Sequence, residues 1–133
     1  MKQIKIPVPA VLIFSLLIQL IMVIPAFSQP FSFNIVAGEW ARTDGNYTIS
    51  VKNVKSSGSA DVTYFNPNSI HVEESNISFE KGLVKLFVKL QDKGYPGSTY
   101  TLYYYAEKEA LVGYYYQAPT KQTYKVIFLR KNT

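Results

Sequence analysis

From position 35 onward, apolar and polar residues alternate in short runs separated by clusters of turn-forming residues. The cleanest run is Leu83 to Leu90, where Val84, Leu86, Val88 and Leu90 share one face and Lys85 and Lys89 the other, the period of two that a half-buried strand requires. Tyr47, Ile49 and Val51 alternate in the same way with Thr48, Ser50 and Lys52. No stretch repeats apolar residues at helical spacing over three turns. The pattern predicts strands over 35–42, 47–54, 60–65, 70–79, 83–90, 98–105, 110–117 and 123–130. The strand over 70–79 is the weak one, interrupted by Glu73-Glu74-Ser75-Asn76. Turns fall at Thr43-Asp44-Gly45-Asn46, where Asp-Gly suits the positive φ of a tight hairpin, and at Lys55–Gly58, Asn66–Asn68, Lys81-Gly82, 92–97 and Glu107–Glu109. Links this short force antiparallel pairing, because parallel neighbours need a crossover of a dozen or more residues. The expected fold is all-β, an eight-stranded antiparallel up-and-down meander that closes into a barrel and so removes its exposed edges.

The longest apolar run, 8–24, precedes all of this. Lys2 and Lys5 stand before it, and Ala26-Phe27-Ser28 after it offers small residues at the two positions a signal peptidase reads. An N-terminal signal peptide over 1–28 is expected, followed by a single β-barrel domain over 29–133. The rival reading is an uncleaved anchor, for which a run of 17 residues is short. Of 133 residues, removal of 28 leaves 105, enough for one modest core. There is no cysteine. Export without disulfides points to a bacterial, secreted or periplasmic protein with no membrane association after cleavage.

Charge narrows the partners. The chain has 14 basic residues; two are Lys2 and Lys5, so 12 remain against 9 acidic, a net +3. These are scattered, without the basic stripe a nucleic-acid surface needs, and no nucleic-acid partner is expected. Catalytic constellations are also missing. His71 is the sole histidine, no Gly-x-Ser-x-Gly elbow occurs, and cysteine chemistry is impossible. His71 with Glu73 and Glu74 is poor in zinc ligands, and no metal or cofactor is implied. Glu39, Asp44 and Asp61 do not select a carboxylate pair. Gly94-Tyr95-Pro96-Gly97-Ser98 lacks the ending of a phosphate loop and precedes a strand, so it is a turn. The chain is expected not to be an enzyme.

Gly38-Glu39-Trp40 lies on the first predicted strand and Arg130 ends the last. In a closed meander these strands are neighbours, and a guanidinium lying on the indole would close the barrel floor. This arrangement resembles the calycins: lipocalins, fatty-acid-binding proteins and avidins. Gly38-x-Trp40, Gly45, the alternation Tyr47, Ile49, Val51, then Gly58, Tyr64 and the terminal Phe128-Leu129-Arg130 are most similar to avidin. Trp40 is the only tryptophan, so the biotin box of several tryptophans is absent. The resemblance implies a calycin-like barrel with Gly38, Trp40 and Arg130 as structural closure. The segments 64–72 and 95–102 are also similar to those of small uncharacterised exported bacterial proteins.

The last three predicted strands carry aromatics on both faces. Outward tyrosines can simply stabilise cross-strand pairs, form a homo-oligomer interface, or leave the inward set to line a ligand pocket. Tyr47, Tyr64, Tyr103, Tyr105, Tyr114 and Tyr116 are the candidate pocket or binding face, and the pattern leaves open which set turns inward. The expected function is a non-catalytic exported binding module for a small molecule or a partner. The alternative is an inhibitor or structural partner of an extracytoplasmic hydrolase, acting through a protruding loop at 92–97 or 66–69.

Overall fold

The structure is a computed structural model that describes residues 2–4 and 32–132; the expected signal peptide lies, save for residues 2–4, outside them. The alternating runs become strands β1 (Gly38–Arg42), β2 (Thr48–Lys52), β3 (Asp61–Phe65), β4 (Ser69–Ile70), β5 (Val72–Glu80), β6 (Leu83–Leu90), β7 (Thr99–Tyr105), β8 (Ala110–Gln117) and β9 (Gln122–Arg130). They form one sheet in the order β4-β3-β2-β1-β9-β8-β7-β6-β5, and every pairing is antiparallel. The first strand pairs with the last, with Trp40 opposite Arg130 and Arg42 opposite Phe128. The result is a nearly closed barrel.

Nine strands stand where eight were expected. The predicted strand over 70–79 breaks at His71 because the chain changes partner there. β4 pairs with β3, β5 pairs with β6, and a register shift between Val72 and Glu74 accommodates the switch. β4 and β5 are therefore the two edges of the sheet, and the seam between them is bridged at Gly58. Its carbonyl accepts the Ile77 N–H at 2.8 Å. Gly58 has φ +90°, and a Cβ there would lie 2.0 Å from the Ile77 carbonyl oxygen, so the seam closes only around glycine.

The inner face follows the period of two. β6 buries Val84, Leu86, Val88 and Leu90, and β7 buries Tyr100, Leu102 and Tyr104. Trp40, Ile49, Val51, Tyr64, Leu111, Val126 and Phe128 complete most of the core. The first predicted strand starts later than expected. Phe33–Val36 is a 3-10 turn, with Ser32 Oγ accepting the Asn34 N–H, and it delivers Val36 into the core. The 43–46 hairpin is present, with Arg42 N–H bonded to the Tyr47 carbonyl at 2.9 Å. Gly45 is not among the residues with positive φ. A Cβ at Gly45 would instead meet the Tyr47 ring at 2.4 Å, so the glycine makes room for an aromatic ring.

Candidate functional site

Inward positions on β1 recur at Trp40 and Arg42, and they serve different ends of the barrel. At the Trp40 end the Arg130 guanidinium lies 4.2 Å from the indole centroid. Its Nη1 and Nη2 donate to the carbonyls of Ala37 at 2.6 Å and Ile35 at 2.7 Å, and its Nε donates to Glu109 at 2.8 Å. Trp40 Nε1 donates to the Val36 carbonyl at 2.9 Å, and Tyr104 meets the indole edge-on. Gly38 sits so near Arg130 that an added Cβ would lie 2.8 Å from Nη1. Two backbone carbonyls, Glu109 and the indole face together fix this arginine across the end of the barrel, a floor held in part by a cation–π contact of about 0.5–2 kcal/mol.

The Arg42 end is different. It is built from tyrosines of five segments: Tyr47 before β2, Tyr64 on β3, Tyr95 in the 92–97 loop, Tyr100 on β7 and Tyr115 on β8. Arg42 points among them. Its guanidinium carbon is 4.3 Å from the Tyr47 ring centroid and 5.7 Å from that of Tyr115. Nη1 donates to the Tyr100 hydroxyl at 3.0 Å, while Nε and Nη2 grip Asp44 side-on at 2.5 and 3.1 Å. The Tyr100 and Tyr64 hydroxyls are 2.9 Å apart. Tyr64 also packs against Tyr47, Tyr95 and Tyr100, and Tyr100 stacks on Tyr115 at 4.7 Å. A cavity of about 240 Å³ remains at this mouth, lined by Arg42, Tyr47, Tyr64, Tyr95, Tyr115, Gln117 and Tyr124.

Burial shapes the titration of these groups. It pushes the Tyr100 hydroxyl up to about 12, against the lowering pull of hydrogen bonds with Tyr64 and Arg42. Burial drives Tyr64 higher still, and raises Tyr115 as well. Desolvation pulls Arg42 down, but its bonds to Asp44 and Tyr100 outweigh that and its pKa rises. The Arg42 hydrogen bonds hold the Asp44 carboxyl below its ordinary range. At neutral pH Tyr64, Tyr100 and Tyr115 are therefore neutral, and Arg42 and Asp44 form an ion pair.

Of the candidate tyrosines, only Tyr47 and Tyr64 belong to the mouth. Tyr103, Tyr105 and Tyr114 lie on the outer face, lining a groove with Leu83, Val112 and Lys125, and Tyr116 also turns outward. The reason is register: Tyr103 stands opposite the outward Lys85, while Leu102 stands opposite the inward Leu86. The inward set is Tyr100, Tyr104 and Tyr115. The signal for it was present, since Leu102 shares a face with Tyr100 and Tyr104. Arg42 was legible too, two residues beyond Trp40 on the same face. Tyr95 lies in the 92–97 loop, where strand alternation has no say, while Gln117 ends β8 two residues beyond Tyr115 and shares its face.

The described residues contain no group of three or more His, Cys, Asp or Glu side chains placed to hold a metal ion, and no helix among them is long and apolar enough to cross a membrane. No family model matches the chain, and no curated protein or solved structure matches it.

Proposed function

We propose that this protein is a non-catalytic exported barrel that binds one small molecule at the Arg42 mouth, an avidin-like or lipocalin-like module without a biotin box. One observation carries the reading: a nearly buried guanidinium, sandwiched by tyrosine rings, borders a 240 Å³ cavity that side chains leave unfilled. Apolar rings around a few convergent polar groups are the usual lining of a small-molecule site. The Arg130 guanidinium spread over Trp40 at the other end favours entry at the Arg42 end.

The loops favour a ligand over a plug. Tyr95 of the 92–97 loop lies edge-on to Tyr64, and its hydroxyl accepts a hydrogen bond from Asn66 of the 66–69 loop. Both loops are thereby tied to the mouth, which suits a rim around a ligand more than a projection into another protein's active site.

Native mass spectrometry tests this after incubation with a small-molecule extract of the source organism. One stoichiometric adduct is expected on the wild type and its loss on Tyr115→Leu. No adduct, or one that Tyr115→Leu retains, overturns the mouth as the binding site.

A further inference from the structure

Counting donors and acceptors at the mouth specifies the ligand further. A guanidinium has five N–H donors and no acceptor. Asp44 takes two of those on Arg42 and Tyr100 takes one. One N–H on each Nη is left without an acceptor among the described residues. The Tyr64 and Tyr100 hydroxyls own two hydrogens, and one of them makes the bond between the two oxygens. Arg42, their third neighbour, has no lone pair to receive the other. Whichever hydroxyl donates, one O–H is also left over, although both tyrosines are fully buried. Every buried side-chain polar atom among the described residues keeps at least one partner, but three hydrogens of this connected cluster have no protein acceptor, and Arg42 and Tyr64 border the cavity.

Resting on the binding reading above, we infer that the mouth takes a small monocarboxylate with a flat body. The carboxylate offers four lone-pair sites to the three spare donors, where a single carbonyl offers two. A sugar hydroxyl brings a hydrogen of its own to a site already short of acceptors. Asp44 already balances the charge of Arg42, so a dianion such as phosphate brings two uncompensated charges where a carboxylate brings one. A cavity of about 240 Å³ suits a compact molecule better than a long acyl chain. Its walls are mostly tyrosine rings, those of Tyr47, Tyr64, Tyr95, Tyr115 and Tyr124. A planar body can lie against such rings.

Titrations with benzoate, benzamide and benzyl alcohol test this on the wild type and on Asp44→Asn, followed by the NMR signals of the Tyr47 and Tyr115 rings and the Arg42 guanidinium. Asp44 is exposed, so its substitution spares the core. The expected result is benzoate binding at the mouth at least tenfold more tightly than either neutral probe. Asp44→Asn then tightens benzoate severalfold and leaves benzyl alcohol unchanged. Equal binding of all three probes, or benzoate indifferent to Asp44→Asn, overturns the carboxylate class while the mouth still binds. Mouth signals unmoved by every probe overturn both readings.

Discussion

Tyr64 and Tyr100 share a buried hydroxyl contact in surroundings that disfavour a charge on either ring. Burial raises both pKa values, that of Tyr100 from 10.0 to about 12. A group whose folded pKa is raised stabilises the fold fully below its unfolded pKa, and that stability is lost as pH climbs through the folded value. The window therefore opens near pH 10 and closes near 12. Phenolate absorbance should show Tyr64 and Tyr100 ionising only above pH 10, as the barrel unfolds. Titration of all 11 tyrosines near pH 10 in an intact fold would contradict their burial. Residue by residue, the sequence marked the floor more clearly than the mouth. Trp40 is unique and Arg130 ends the last strand, so both stand out. Tyrosine does not, because it is at home on either face of a strand: its ring tolerates burial and its hydroxyl tolerates water.

At the scale of elements, β6 was fully legible because Leu and Val alternate with Lys, and a one-residue slip would bury the lysines. β8 was not, since Leu111 and Val112 are both apolar and the phase of Tyr114, Tyr115 and Tyr116 is set only by pairing, with Tyr115 opposite Tyr100. The break at His71 was invisible for a related reason. It depends on which neighbour the chain pairs with, a long-range choice that local alternation does not record. The seam that results hangs on Gly58. Gly58→Ala forces a side chain into φ +90° and into the Ile77 carbonyl, whereas Gly82→Ala at φ +77° has no atom within 4 Å. Strain alone costs about 1 kcal/mol at Gly82, and strain with overlap about 2–3 kcal/mol at Gly58. Denaturant unfolding of the two variants should rank them in that order; equal losses would mean that the seam gives way without cost.

Over the whole molecule the two inward arginines divide the barrel into unlike ends. Arg130 spends Nε, Nη1 and Nη2 on Glu109 and two backbone carbonyls, and it seals the floor. Arg42 likewise bonds through all three nitrogens, to Asp44 and Tyr100, but it does so beside an unfilled cavity. Sequence alternation and short links were enough for an antiparallel barrel, because edges left open over this length of chain are unfavourable. They could not separate a floor from a mouth, since each arginine completes three hydrogen bonds and the distinction lies in whether side chains fill the space beside it. The outer groove of Tyr103, Tyr105 and Tyr114 is the competing surface. A crystallographic screen of small planar fragments decides between them most directly. Fragments seated among Arg42, Tyr47 and Tyr115, with the outer groove empty, are the expected result. A mouth collapsed onto its own side chains, with fragments only against Tyr103, Tyr105 and Tyr114, would contradict it.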